Sequence, residues 1–181
     1  MQPELGSKIS FPSSGSYEAS VQSYWSVQNN EVDPTCIISP AVTADVSTAI
    51  DLINQLDRLN LKCPFAVRGG GHAPWAASTI QNGIVIDLSA INQVAVSEDR
   101  TATSVGPGAR WIDAYLELDA MGLAISGGRV ASVGVGGLTT GGMYIPDRNN
   151  IVVHMIANAI YRWNILFCSS SWVRLRQCRE L

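Results

Sequence analysis

Hydrophobic and polar positions change their spacing several times along this chain. Residues 35–40, TCIISP, form a short apolar run closed by Pro40. A run of that length ended by a breaker predicts a β-strand. Residues 43–60, TADVSTAIDLINQLDRLN, place Val46, Ile50, Ile53 and Leu56 at helical spacing, with Thr43 as the candidate N-cap. Residues 64–69, PFAVRG, return to a strand-like run. Strand, helix and strand within residues 34–68 predict parallel pairing through a right-handed crossover. Upstream, residues 16–30 read as one short helix with aromatic contacts. Residues 1–16, rich in Ser, Pro and Gly, read as a loose arm.

Beyond residue 80 the grammar shifts. GIVIDLS, QVAVSED and TATSVGPG are three β runs separated by short polar turns, the pattern of antiparallel strands. ARWIDAYLELDAMG, residues 109–122, predicts a helix with Trp111, Ala114, Tyr115, Leu118 and Met121 on one face and Gly122 as its stop. Residues 126–142 then hold seven glycines in seventeen positions and read as a loop. The expected fold class is α+β: a small parallel α/β unit followed by a more antiparallel β unit. No internal repeat of useful period is present.

Composition narrows the class. The 181 residues are 46% hydrophobic and 15% charged, which suits one globular domain and excludes a disordered chain. A net charge of −3 makes no electrostatic case for a nucleic-acid partner. The charge is uneven: five arginines against Asp147 and Glu180 leave +3 in residues 147–181, and hence −6 in residues 1–146. The most apolar late run, residues 151–167, contains His154, Asn158, Arg162 and Asn164, so no membrane span is expected. The N-terminus lacks an apolar signal-peptide core, and the compartment stays open. Cys36, Cys63, Cys168 and Cys178 lack metal-like spacing; Cys36 and Cys63 lie in apolar runs that suit free buried thiols.

The candidate chemistry sits in the glycines. In PFAVRGGGHAPWAAS a strand-like run ends at Arg68, and Gly69, Gly70 and Gly71 precede His72, one of two histidines in the chain. Backbone free of Cβ can present N–H groups to phosphate oxygens. Close packing of a tight loop on a neighbour is the other reading. Two further glycine segments, at 105–109 and 126–142, also follow β runs, and this convergence favours a ligand. GxxxxGK[ST] is absent, and GxGxxG fails because Thr139 stands where the last glycine belongs. HExxH, CxxC, EF-hand and Gly-x-Ser-x-Gly spacings are also absent, so neither a metal site nor a simple hydrolase is supported. His72 is either a hydrogen-bonding loop residue or a nucleophile suited to bonding an electrophilic cofactor.

Taken as an ordered set, RGGGH, IDLS, VGPGA and VGVGGLTTGG resemble a known family. Residues 17–142 are similar to the FAD-binding domain of the FAD-linked oxidoreductases. This is the p-cresol methylhydroxylase/vanillyl-alcohol oxidase (PCMH-type) superfamily, nearest in style to berberine-bridge-like enzymes. The resemblance implies an FAD domain of two subdomains holding FAD between them. It implies that Arg68, Gly69, Gly70 and Gly71 belong to the pyrophosphate loop and that His72 bonds covalently to the flavin 8α carbon. It also implies that Gly106, Gly108, Gly134, Gly136, Gly137, Leu138, Gly141 and Gly142 line the rest of the cofactor. Val130 occupies the position where some relatives carry a second, cysteinyl link, so a single link is expected.

The likeness is expected to end after Gly142, with residues 143–181 an atypical tail without clear strand pattern, from a truncated or mis-spliced reading frame. The substrate pocket and catalytic base are then expected beyond this chain. The implied activity is hydride abstraction from an alcohol, sugar or alkaloid-like substrate, with electrons passing to O2 or another acceptor. A non-catalytic flavin- or nucleotide-binding fragment is the alternative, and an α+β domain with purely structural glycines is the third reading.

Overall fold

The computed structural model describes residues 5–141, together with the backbone of 171–174 and 176–177. Its contacts divide into two units that meet at Ile91 and Asn92 in the sequence.

The first unit opens with a short 3-10 turn, Leu5–Lys8, and strand β1, Ile9–Ser10. Helix α1, Gly15–Gln22, starts where the Ser14 side chain accepts the Tyr17 N–H. Helix α2 is one turn, Val27–Asn30. Strand β2, Cys36–Ile38, leads to helix α3, Thr43–Arg58, and strands β3, Phe65–Arg68, and β4, Ile84–Asp87, follow. The sheet order is β1-β2-β4-β3, with β1 antiparallel and the other pairs parallel.

The central strands are apolar at consecutive positions because both faces are covered. Register pairs Ile37 with Val85 and Ile38 with Ile86. Side chains alternate across a strand, so these pairs face opposite ways. Ile37 and Val85 pack with Tyr17 and Val21 of α1. Ile38 and Ile86 pack with Ala49 and Ile53 of α3 and with Leu5.

Four expectations need correction in this unit. Strands β2 and β3 are parallel, but β4 lies between them, because the GIVIDLS run joins the parallel sheet rather than an antiparallel one. Its Val85 and Ile86 are fully buried, which an antiparallel strand with one wet face would not achieve. The helix expected over 16–30 is broken into α1 and α2, with Ser23 capping the first. Residues 5–16 are not loose: Leu5 enters the core and β1 forms an edge strand. Thr43 is the first residue of α3, and Val42 is its N-cap. Asp45 reaches back instead, accepting the N–H groups of Ala41 and Val42 at 2.9 and 3.1 Å.

In the second unit, β5, Val94–Val96, and β6, Ala102–Val105, form the expected antiparallel hairpin. Helix α4, Trp111–Asp119, buries Trp111, Ala114 and Leu118, whereas Met121 is exposed. Gly122, at φ +67°, ends the helix as its position suggested. Strand β7, Leu123–Ala124, precedes helix α5, Val135–Thr140, which lies inside the stretch expected to be loop. Strand β8, Ser171–Arg174, pairs with β6, and β9, Arg176–Gln177, pairs with β7. The late sequence therefore does contain strands, which its spacing did not disclose. Trp111 anchors this unit, and Gly127 and Gly128 are there to admit it. A Cβ on Gly127 would stand 2.2 Å from the indole.

Two stability tests follow. Lys8 hydrogen-bonds the buried Asp45 carboxylate, and this bond, with the two backbone N–H groups, holds that carboxyl below its ordinary value. Its contribution is complete above the ordinary carboxylate range and is lost as pH falls below about 4. Asp45→Asn should cost about 1–3 kcal/mol at neutral pH, and the gap from wild type should close on acidification; urea titrations that keep it constant from neutral pH to pH 3 (about one unit below the carboxylate range) contradict the assignment. Gly127→Ala should lower stability by about 1–3 kcal/mol through overpacking against Trp111, read as an earlier thermal midpoint.

Candidate cofactor-binding site

In open α/β sheets, ligands gather outside the carboxyl ends of parallel strands. Strand β3 ends at Arg68, and Gly69, Gly70 and Gly71 run directly from that end. Gly69 and Gly70 are half-buried and Gly71 is buried. Gly71 takes φ +65°, and a Cβ there would lie 2.9 Å from Arg68 Nε and 3.1 Å from the Tyr24 ring. Glycine is required at that point for both reasons.

Arg68 itself turns inward. Its side chain is 3% exposed and forms an ion pair with Asp87 at 3.3 Å. One Nη donates to the Ser20 carbonyl and hydroxyl, the other to the Ser23 hydroxyl. The guanidinium lies over the Tyr24 ring, 4.0 Å from its centroid. Burial pushes the Tyr24 phenol up, against the lowering effect of the nearby Arg68 charge. The arginine expected at the cofactor is thus a buried post beneath the glycine loop. Its role there is to join β3, β4 and α1.

His72 is half-buried and stacks on Trp25, with ring centroids 4.6 Å apart and planes inclined by 18°. The loop beyond it is tied to the segment between α1 and α2. Trp25 N–H donates to the Gly71 carbonyl at 3.2 Å, and the Tyr24 hydroxyl donates to the Ser78 carbonyl at 2.9 Å. Asn29, fully buried, donates to the Ala73 carbonyl and accepts the Ala76 N–H. Tyr24, Trp25 and Asn29 were not singled out from the sequence. Their signals were the aromatic pair in residues 16–30 and, for Tyr24 and Trp25, the YWS stretch that contributes to the family resemblance; neither gave them a role at the site.

In the second unit the glycine segments lie side by side. Gly134 bridges Arg110, and Val135 N–H donates to the Ala109 carbonyl at 2.8 Å. Gly106, Gly108 and Gly134 are buried, and Gly136 lies so close to Pro107 that a Cβ would stand 2.7 Å from its carbonyl oxygen. Gly136 is thus needed for packing. Gly137 is exposed, with nothing within 4 Å of the place a Cβ would take. Leu138 packs against the Trp111 core, Gly141 is exposed, and Gly142 lies outside the described residues. His154, Cys168 and Cys178 lie outside them as well. Val130 is exposed, and the described cysteines, Cys36 and Cys63, are free and half-buried in the first unit. Burial raises the Cys36 thiol above its ordinary value. Among the described residues no three His, Cys, Asp or Glu side chains could hold a metal ion, and no helix is long and apolar enough to cross a membrane.

A dinucleotide with a diphosphate needs N–H and hydroxyl donors without opposing carboxylates. Residues 69–79 and 126–141 contain neither Asp nor Glu. The Ser78 and Thr139 hydroxyls are buried without a partner among the described residues. The half-exposed Gly69 and Gly70 in the first unit and, separately, the open backbone at Gly137 in the second are each suited to such a group.

Comparison with known proteins agrees. The FAD-binding-domain family model matches residues 34–158, a range that runs past Gly142. The chain is 39% identical over 144 residues to the FAD-dependent monooxygenase sdcF of Emericella nidulans, covering 78% of this chain and 29% of that protein. It is 33% identical over 169 residues to the FAD-dependent monooxygenase CTB5 of Cercospora beticola, covering 91% and 31%. Among solved structures, 6-hydroxy-D-nicotine oxidase from Arthrobacter nicotinovorans superposes with a TM-score of 0.62 at 24% identity, over 70% of this chain and 26% of that one. Phl p 4, a grass pollen allergen with glucose dehydrogenase activity, gives 0.64 at 22% identity, over 75% and 29%. The chain spans less than a third of the length of each of these proteins. With two thirds of its residues under the family model and the RGGGH loop at the end of a parallel strand, the chain belongs to the FAD-binding-domain family of FAD-linked oxidoreductases.

Proposed function

We propose that this chain is the FAD-holding part of a flavin-dependent oxidoreductase, with His72 as a single covalent anchor for the flavin. The observation that carries the proposal is the loop after β3. It joins bare amides at Gly69, Gly70 and Gly71 to an imidazole that is already oriented by Trp25. Amides without Cβ cover are suited to the diphosphate. The imidazole would supply the nucleophile toward the flavin 8α carbon; the new C–N bond would replace one C–H bond of that methyl group, its proton passing to solvent and its two electrons to the flavin and on to O2. Gly106, Gly108, Gly134, Gly137 and Gly141 are the proposed backbone contacts to the remainder of the cofactor. Gly136 and Leu138 support them through packing against Pro107 and Trp111.

When bound, FAD supplies two-electron acceptance, and the protein supplies retention, orientation and tuning. The proposed substrate is a small molecule bearing an oxidisable C–H bond next to oxygen or nitrogen, such as an alcohol, sugar or alkaloid. The proposed electron acceptor is O2 or a comparable acceptor. Relatives named as monooxygenases, an oxidase and a glucose dehydrogenase support this breadth. The catalytic base is not assigned to any described residue.

Protein produced with ample riboflavin should be yellow, and its flavin should stay with the polypeptide after acid precipitation. His72→Ala should release all acid-stable flavin; undiminished retention in that variant refutes the anchor. Gly137→Ala provides a second test, since the fold has room for the methyl group. It should leave the stability of the flavin-free protein within about 1 kcal/mol of wild type, read as a nearly unchanged thermal midpoint, and weaken flavin binding. Equal binding removes Gly137 from the site. Oxygen consumption across a panel of alcohols and sugars then separates a turning-over oxidase from a flavin carrier.

A further inference from the structure

Trp75 and Ala76 both adopt left-handed backbone, at φ +72° and +55°. They are the one consecutive pair among the described non-glycine residues with positive φ. Left-handed geometry is unfavourable for residues with a Cβ, and it persists where surrounding contacts over-determine it. Side-chain burial does not provide those contacts. Trp75 is 90% exposed, and Ala76 is exposed too.

What holds the turn is one side chain distant in sequence. Asn29 is 0% exposed. Its Nδ2 donates to the Ala73 carbonyl at 2.7 Å, and its Oδ1 accepts the Ala76 N–H at 3.0 Å. Its own backbone is fixed within α2, where its N–H donates to the Ser26 carbonyl and its carbonyl accepts the Val32 N–H. A rigid amide therefore spans the loop from both sides of Trp75. The first of its contacts is one residue beyond His72.

This matters because His72 is reached from β3 through three glycines. A glycine run transmits little orientation, since each residue has wide backbone freedom. Constraints on the imidazole from both sides come from one short segment: Trp25 stacks on the ring and its N–H holds the Gly71 carbonyl, and Asn29 holds the chain that follows.

We propose that Asn29 is a positioning residue: its buried amide locks residues 73–76 in the left-handed turn and so fixes the His72 imidazole against Trp25 for attachment of the flavin. The attachment step rests on the reading of His72 given above; the positioning of the ring does not.

The test uses the full chain. The two histidines make the imidazole resonances simple to assign, with His154→Gln identifying the other. In the flavin-free protein, stacking on Trp25 should shift the His72 ring protons upfield, and Trp25→Leu should abolish that shift. Asn29→Ala should move these resonances toward free-histidine values. It should also slow covalent flavin uptake about tenfold or more, as small misplacements of reacting groups do. Adding Ala76→Gly to Asn29→Ala relaxes the left-handed residue and should restore part of both signals. General loss of stability would not be repaired by a glycine. If Asn29→Ala does not fold, Asn29→Asp, which keeps the Ala76 acceptor and loses the Ala73 donor, replaces it with the same expectations. Unshifted resonances and wild-type uptake in a folded Asn29 variant overturn the proposal, as does failure of Ala76→Gly to restore either signal. Should His72→Ala still acquire covalent flavin while Asn29→Ala displaces the His72 resonances, the anchor reading falls and the positioning of the ring stands.

Discussion

The first unit depends on a buried charge that must be satisfied. Arg68 lies at the end of β3 with 3% of its side chain exposed, and such a charge is tolerable only when paired and hydrogen-bonded. Its partners come from three places: Asp87 on β4, Ser20 in α1, and Ser23 at the end of that helix. Tyr24 lies beneath the guanidinium, and Gly71 passes so close that no side chain would fit. One cation therefore draws the end of the parallel sheet, the end of the first helix and the start of the glycine loop to a common point. The loop carrying His72 is built outward from it.

The second unit rests on a different constraint, the volume of one indole. Trp111 is fully buried, and the chain closes over it through Gly127 and Gly128, where a Cβ would overlap the ring. Tyr115 stacks beside it and donates its hydroxyl to the Gly128 carbonyl at 2.7 Å. Backbone bonds from Trp111 and Ile112 to the carbonyls of Val133 and Ala131 then lace the glycine segment along the start of α4. The described glycines of residues 126–141 thus differ in their surroundings: Gly127, Gly128 and Gly136 serve close packing, whereas Gly137 has open space where a Cβ would stand.

This division bears on how motifs of this family are read. Within these motifs the physical roles differ residue by residue. The same holds for the arginine of RGGGH, which supports the loop from below, and for His72, whose surroundings come from a segment more than forty positions earlier in the chain.

The identity of most elements was legible from local spacing alone. The α3 face containing Ile53, the α4 face containing Trp111 and Leu118, the β5–β6 hairpin and the Gly122 stop all follow from periodicity and backbone freedom, which are properties of neighbours in sequence. The ordered motifs likewise singled out His72 and its glycines, which lie together at the end of β3; that they hold a flavin is the proposal made above. Strand order was not legible, because an apolar run such as residues 84–87 states that it is buried but not between which partners. The helix break near Tyr24 and Trp25, the inward turn of Arg68 and the Asn29 clamp were not legible either. Each depends on contacts between residues dozens of positions apart, and only the packed chain brings those groups within hydrogen-bonding distance.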